Sequence, residues 1–156
     1  MNRISAMNNN SLNTIMSNVD VTFAVCLFNA ARYIEETLSC IVNQSMQNFN
    51  LIIVDDCSTD NSVELVKDFF KSHIRQYELV VFQKNQGIAA SREYVLEHTG
   101  TKYLAFMDAD DCPNPTFIEK LYNKIVSDDE FMIVCCNHEF IGENGEKLRG
   151  GYYFND

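Results

Sequence analysis

The chain has 156 residues, of which 46% are hydrophobic and 12% aromatic, a composition that supports one packed domain and excludes a disordered chain. Its 12 basic and 22 acidic residues give a formal charge of −10, which argues against a protein that holds nucleic acid through its phosphates. A small anionic ligand that arrives with Mg²⁺ or Mn²⁺ remains compatible, because the cation supplies the positive charge that the protein lacks.

The first elements along the chain are a leader, a strand, a helix and a second strand. Residues 1–20 are rich in Asn, Ser and Met and lack a long apolar core, so we expect a flexible leader rather than a signal peptide or a membrane span. The apolar run 21–27 predicts a buried strand. A helix is predicted from Asn29, as its cap, to about residue 47, and the apolar run 51–54 predicts the next strand.

The middle of the chain repeats this alternation. Asn61 and Glu64 approximate a capping box, which predicts the start of a helix that ends near residue 72. Residues 79–82 predict a third strand, and Asn85-Gln86-Gly87 predicts a turn into a helix over 88–98.

The last third adds a fourth strand at 103–107, a helix that begins at Asn114 and Pro115, and a fifth strand at 132–136. Asn144-Gly145 is typical of a two-residue hairpin, so a β-ribbon is expected near the end of the chain. The alternation of strands and helices predicts an α/β fold with a mostly parallel sheet and helices on both faces.

Acidic residues cluster directly after two of the predicted strands. Asp108, Asp110 and Asp111 follow 103–107, and Asp55-Asp56 follows 51–54. Like charges this close repel unless a proton or a divalent cation neutralises them, so we interpret the later cluster as a metal site. Ligands of open α/β sheets bind at the carboxyl ends of the strands, so both clusters are expected to face one ligand. The alternative for Asp55, Asp56 and Asp60 is that they are turn and cap residues.

Six cysteines are scattered along the chain without a C-x-x-C pair. This pattern favours reduced thiols in a cytosolic protein over a disulfide framework or a zinc site. They are Cys26, Cys40, Cys57, Cys112, Cys135 and Cys136.

A set of short motifs follows in a fixed order along the chain. They are Phe28-Asn29-Ala30 with Tyr33-Ile34 and Leu38, Asn43-Gln44-Ser45, Ile53-Val54-Asp55-Asp56-Cys57-Ser58-Thr59-Asp60, Asn85-Gln86-Gly87-Ile88-Ala89 with Arg92, and Asp108-Ala109-Asp110-Asp111 ahead of Pro113 and Pro115. In this order they resemble the nucleotide-sugar-binding part of family 2 glycosyltransferases, which have the GT-A fold, a Rossmann-like sheet flanked by helices. The resemblance runs from about residue 21 to residue 140.

The resemblance implies a set of residues that bind the nucleotide sugar. They are Phe28, Asn29, Asp55, Asp56, Asn85, Gly87, Arg92, Asp108 and Ala109. In this set Phe28 covers the nucleobase and stacks on it without the phenol of the Tyr that is usual there. Asp56, or its neighbour Asp55, accepts hydrogen bonds from the base, which suits a uracil N–H.

The same resemblance implies how the diphosphate is held. Arg92 lies by the diphosphate or the ribose, where a planar cation is useful. Asp108 binds the ribose or assists the metal, and Asp110 is the main ligand of Mn²⁺ or Mg²⁺, with Asp111 as an additional candidate. The metal stabilises the charge that builds on the departing nucleoside diphosphate.

The implied function is metal-dependent, inverting transfer of a hexosyl or related sugar from a UDP-sugar to the hydroxyl of a glycan or lipid-linked acceptor. The family places the general base after the nucleotide half, so we expect residues 21–156 to be a truncated domain that largely lacks the acceptor-binding half. Alone, such a domain need not be active. The implied setting is the bacterial cytoplasm, with peripheral association at the inner face of the membrane and a homodimer left open.

Two other functions are compatible with parts of the pattern. A phosphoacceptor receiver domain also has an acidic pair after one strand and an aspartate after a later one. Against it, a strand and a helix precede Asp55-Asp56, whereas receivers open with the pair. A non-catalytic module that binds nucleotide sugars differs from the enzyme only by the missing second half.

Overall fold

The computed structural model describes residues 2–5, 19–73, 75–142 and 145–152. The chain divides into two compact units, residues 1–116 and 117–156. None of the described helices is long and apolar enough to cross a membrane.

The first unit alternates strands with helices, as the sequence predicts. Its elements in chain order are β1 Asn2–Ser5, β2 Val21–Leu27, α1 Ile34–Val42, β3 Asn50–Asp55, α2 Ser62–Ser72, β4 Glu78–Val81, α3 Ile88–His98 and β5 Tyr103–Asp108.

These strands form one five-stranded sheet in the order β1-β4-β3-β2-β5. Strands β2 to β5 are parallel, and β1 pairs antiparallel with β4. The mostly parallel α/β sheet predicted from the sequence is therefore confirmed. Strands β3 and β4 lie on one side of β2 and β5 lies on the other, so the winding of the chain reverses next to β2. In a receiver-type sheet the first strand neighbours the second and third, so this order argues against the receiver alternative.

The central strand explains why the sequence reads as continuous apolar runs. All seven residues of β2 are buried, as expected for a parallel strand that is covered on both faces. Helix α1 packs an apolar stripe into the core, since its Ile34, Leu38 and Ile41 are fully buried. A second cluster packs α3 against the sheet, and its buried members are Ala24, Ile52, Val54, Val80, Phe82, Tyr94 and Val95.

Helix boundaries and caps differ from the predictions at several points. Helix α1 begins at Ile34 with Tyr33 as its N-cap, whereas Asn29, the predicted cap, lies outside the helix and accepts from the Thr59 amide. Helix α1 ends at Val42, before the predicted end at residue 47, and Gln44 uses its side-chain amide to bond the carbonyl of Asn114. At the start of α2 the Asn61 side chain makes no capping hydrogen bond. The Asp60 carboxylate instead accepts from the Ser62 amide at 3.0 Å.

The segment predicted as a flexible leader contains β1. Asn2–Ser5 pairs with β4, with Asn2 opposite Val81 and Ser5 opposite Glu78. Without this strand β4 would be the sheet edge, and its outer backbone groups would lack partners. Residues 6–18 lie outside the described residues.

The second unit contains α4 Phe117–Ile125 and a hairpin of β6 His138–Ile141 and β7 Lys147–Tyr152. The predicted C-terminal ribbon is therefore confirmed. Gly145 in its turn has a φ of 78°, which glycine adopts without strain. Asn144, which the hairpin prediction also used, lies outside the described residues.

The strand predicted at 132–136 is wrong. These residues are not in a strand, and the side chains of Met132 and Ile133 are 90% and 79% exposed. An apolar run becomes a strand only where a neighbouring strand takes up its backbone hydrogen bonds. Sequence pattern alone does not supply that neighbour.

The prediction of reduced cysteines is wrong for one pair. Cys40 in α1 and Cys112 after β5 form a disulfide, with 5.8 Å between their Cα atoms. The two residues are 72 positions apart, so their proximity is a product of the tertiary fold that local spacing does not reveal. The remaining cysteines form no disulfide within the described part of the chain.

Candidate functional site

A cleft of about 340 Å³ opens at the carboxyl ends of β2, β3 and β5, beside the start of α3. This is the point where the winding of the chain reverses, which is where open α/β sheets bind ligands. Its lining residues are Cys26, Leu27, Phe28, Asn29, Ala30, Tyr33, Asp56, Asn85, Gly87, Ile88, Ser91, Asp108, Ala109 and Asp110.

Strand register brings the two acidic clusters to this edge. In the parallel pairs Cys26 lies opposite Asp108, and Leu27 lies opposite Asp55. The residues that follow these strands therefore emerge side by side. The predicted meeting of both clusters at one cleft is thus observed for Asp56, Asp108 and Asp110.

Asp56 is 3% exposed and organises the start of α3. Its Oδ1 accepts from the Gln86 amide and its Oδ2 from the Gly87 amide, both at 2.7 Å. Gly87 has φ 86° and ψ 160°, a conformation that is essentially restricted to glycine. The predicted turn at Asn85-Gln86-Gly87 is therefore stabilised by hydrogen bonds to a buried carboxylate.

Asp55 has a different environment from its neighbour. It is fully buried, and its Oδ2 accepts from the Ser58 amide at 3.1 Å. Its Oδ1 has no partner among the described residues, and burial raises the pKa of its carboxyl. Asp55 does not line the cleft, so of the two alternatives Asp56 is the one placed to meet a ligand.

The loop that carries Phe28 is tied to the loop that follows β3. Asn29 has a φ of 50°, and its side-chain Oδ1 accepts from the backbone amide of Thr59 at 2.8 Å. The backbone amide of Asn29 donates to Ser58 Oγ at 2.9 Å. The Asp60 carboxylate accepts from the Ala31 amide at 3.0 Å. These bonds hold Phe28 at the cleft while its ring stays 47% exposed.

A second connection runs between the same loops below the surface. Ser62 Oγ accepts from the Ala30 amide at 3.0 Å and donates to Asp60 Oδ1. Burial opposes ionisation of Asp60, but its hydrogen bonds from Ser62 and Ala31 outweigh that effect and lower the pKa of its carboxyl. Asp60 therefore positions the loop that carries Phe28. It acts as the predicted turn residue and also supports the site.

Arg92 and Asp108 form an ion pair at the edge of the cleft. Arg92 Nη2 lies 3.2 Å from Asp108 Oδ1, and both side chains are 44% exposed. Arg92 Nε has no partner among the described residues. Arg92 does not itself line the cleft, so it meets a ligand only through its outer nitrogens or through Asp108.

Two of the three predicted metal ligands lie at the cleft. Asp108 and Asp110 line the cleft, whereas Asp111 does not. Within the described residues no three His, Cys, Asp or Glu side chains are grouped to hold a metal ion. Two carboxylates supply only part of the six or so oxygen ligands that Mg²⁺ or Mn²⁺ requires, so ligand oxygens and water must complete the shell.

Sequence reasoning missed several lining residues, among them Cys26, Tyr33, Ile88 and Ser91. Burial raises the pKa of the Cys26 thiol, which makes it a packing group rather than a nucleophile. Ser91 is 1% exposed, and its Oγ has no partner among the described residues. Its position one helical turn after Gly87 is visible in the sequence, but its burial is not.

The fold and the cleft define an α/β protein with a ligand site at the switch point of a parallel sheet. A family model described as Glycosyl transferase family 2 matches residues 22–154, and the chain belongs to this family. It is 34% identical over 106 residues to the Streptococcus pneumoniae serotype 4 protein named Glycosyltransferase GlyA. That match covers 68% of this chain and 15% of GlyA.

Solved structures confirm the GT-A-type fold. Staphylococcus aureus TarS residues 1–349, in complex with UDP, superimposes with a TM-score of 0.63 at 23% identity, covering 70% of this chain and 32% of that one. The mannosyltransferase PcManGT of Pyrobaculum calidifontis, in complex with GDP-Man and Mn²⁺, gives a TM-score of 0.55 at 27% identity. Here the match covers 61% of this chain and 29% of the other. The chain thus spans less than half of each of these relatives.

Proposed function

We propose that this chain is the donor-binding part of an inverting glycosyltransferase that uses a UDP-sugar together with Mn²⁺ or Mg²⁺. The observation that carries the proposal is the convergence of Phe28, Asp56, Asp108 and Asp110 on one cleft at the switch point of the sheet. The aromatic ring suits the base of a nucleoside diphosphate. The three carboxylates suit the N–H of the base and a cation bound to the diphosphate.

The base end of the cleft is formed by Phe28 and Asp56. Phe28 offers a half-exposed ring for stacking on a nucleobase, and the adjacent Asn29 network fixes the loop that carries it. Each oxygen of Asp56 accepts one amide and keeps a further lone pair for a base N–H. Stacking and one acceptor together orient the base.

The phosphate end is formed by Asp108 and Asp110, with Arg92 paired to Asp108. Their oxygens are the ligand type that Mg²⁺ and Mn²⁺ prefer, and Asp110 is exposed at the cleft. When bound, the cation supplies Lewis acidity that stabilises negative charge on the departing diphosphate. Arg92 adds a permanent positive charge at the same end of the cleft.

The acceptor is the hydroxyl of a glycan or of a lipid-linked sugar, and inversion requires a carboxylate that takes up its proton. We assign that carboxylate to no residue of this chain. Binding of the donor is therefore the part of the reaction that the chain can be tested for directly.

The test is calorimetric titration of the chain with UDP, first with Mn²⁺ and then with EDTA. Metal-dependent binding is the expected result. Asp110→Asn should weaken binding in Mn²⁺ at least tenfold and leave the fold intact, because Asp110 is exposed and carries only charge to the site. The matched control is Asp68→Asn, an exposed aspartate of α2 that pairs with Lys71. Equal UDP affinity with Mn²⁺ and with EDTA would contradict the metal assignment.

A further inference from the structure

The hydroxyl of Ser91 is an unpartnered polar group in the wall of the cleft. The residue is 1% exposed, it lines the cleft, and its Oγ has no partner among the described residues. Buried polar atoms are nearly always hydrogen-bonded, and one that is not needs an explanation. Such a group at a ligand site is explained most simply if the ligand supplies the partner.

The usual internal partner of a helical serine is occupied. Ser91 follows Gly87 by four residues, so its Oγ would normally reach the Gly87 carbonyl. That carbonyl already accepts from the Ala90 amide at 3.0 Å and from the Ser91 amide at 3.4 Å. The hydroxyl is thus left without an internal partner among the described residues, in a residue of the first turn of α3 that lines the cleft.

Ser91 and Asp56 act on the same part of the cleft. Residues four apart lie on one face of a helix, so Ser91 is directly above Gly87, whose amide Asp56 binds at 2.7 Å. The protein therefore presents an acceptor, Asp56, next to a donor, the Ser91 hydroxyl. Uracil presents the complement, because its N3–H is flanked on both sides by carbonyl oxygens.

We propose that Ser91 is a specificity-determining residue of this cleft, whose hydroxyl donates a hydrogen bond to a carbonyl oxygen of uracil while Asp56 accepts from N3–H. The proposal rests on the proposed UDP-sugar donor. Cytosine has no N3–H to donate to Asp56, so the pair of residues favours uracil over cytosine. The solved structures differ in their base, UDP in TarS and GDP in PcManGT, so the base preference of this chain depends on its own residues.

The first experiment compares UDP affinity, in Mn²⁺, of the native chain and of Ser91→Ala. We expect about a tenfold loss, the effect of one buried hydrogen bond. Urea unfolding of the free variant should show an equal or higher midpoint, because Ala removes an unsatisfied hydroxyl and favours the helix. A weaker binder that is no less stable separates ligand recognition from a structural role. Ser39→Ala in α1 is the matched control, since its hydroxyl bonds the Glu35 carbonyl away from the cleft, and it should change neither quantity.

The second experiment removes the partner atom from the ligand instead. Thio-UDP with sulfur at position 2 or position 4 of the base carries a much weaker acceptor at that site. One of the two analogues should bind the native chain several-fold more weakly than UDP and bind Ser91→Ala as well as UDP does. This non-additivity identifies the carbonyl that Ser91 contacts.

Three results would overturn the inference. They are equal UDP affinity of the native chain and Ser91→Ala, thio-analogue effects that are the same in both proteins, or CDP binding as tightly as UDP. The first two leave the proposed donor intact, because the native chain still binds UDP. Failure of the native chain to bind UDP in Mn²⁺ would instead reject the UDP-sugar donor, and the role of Ser91 with it.

Discussion

Asp56→Asn tests whether one buried carboxylate holds the start of α3 in place. Both oxygens of Asp56 accept backbone amides at 2.7 Å, from Gln86 and Gly87, and the side chain is almost fully buried. Asparagine keeps one acceptor and converts the other into an NH₂ donor that points at an N–H. The substitution therefore removes one hydrogen bond and leaves one amide without a partner.

The size of the effect follows from these two changes. A hydrogen bond to a charged group contributes about 1.5–3 kcal/mol, and an orphaned buried donor costs about 1–3 kcal/mol. We therefore expect Asp56→Asn to lower the free energy of unfolding by roughly 3–5 kcal/mol, which is a large fraction of the 5–15 kcal/mol or so that is typical of a domain.

The assay is urea unfolding followed by far-UV circular dichroism, with Asp68→Asn as the control. Asp68 is exposed and pairs with the exposed Lys71, so its substitution should change stability by less than about 0.5 kcal/mol. If Asp56→Asn also stayed within about 1 kcal/mol of the native chain, the Asp56 oxygens would not be the acceptors of these amides. The account of how the cleft is built would then fail.

Three further predictions concern the same loops and are measured by urea unfolding. Gly87→Ala should cost about 1–3 kcal/mol through backbone strain alone, since an added Cβ meets nothing within 4 Å, whereas Gly100→Ala, equally open but without a positive φ, should be near neutral. Equal effects would refute the strain argument. Ser62→Ala should cost about 1–3 kcal/mol because it orphans the Ala30 amide; no loss would mean that this amide has another partner. Asp60 has a lowered pKa, so its contribution to stability is present above about pH 4 and is lost as the pH falls through the folded value. Asp60→Asn should reduce the loss of stability at low pH. An unchanged pH dependence would contradict the role given to the Asp60 carboxylate.

The core of the fold was predictable because its strands are apolar runs and its helices carry apolar stripes. The four parallel strands of the first unit and α1 to α3 follow from these local patterns. The order in which the strands pair is what the structure adds. The strand expected at 132–136 has the same local pattern but no partner strand among the described residues. The Cys40–Cys112 disulfide likewise depends on a contact over 72 positions. Both are tertiary properties that local patterns do not carry.

The candidate site divides in the same way. Phe28, Asp108 and Asp110 follow strands in the sequence and line the cleft as expected. Adjacent residues at the end of a strand point in opposite directions, so the choice between Asp55 and Asp56 needed the structure. Ser91 was missed because neither its burial nor the occupied carbonyl below it has a signature in the sequence.

The register of the sheet fixes the spacing of the acidic residues, whereas the loops beyond the strands shape the walls of the cleft. Cys26 opposite Asp108 and Leu27 opposite Asp55 are fixed by the backbone ladders of buried strands, so the carboxylates that follow keep their spacing. The loops beyond them, 56–61 and 109–116, lie outside the ladders. Exchanges there that keep Asp56 and Asp60 would reshape the walls of the cleft while the register of the strands stays fixed. Loop grafting between relatives that keeps these two residues is therefore a route to altered ligand preference on the same sheet.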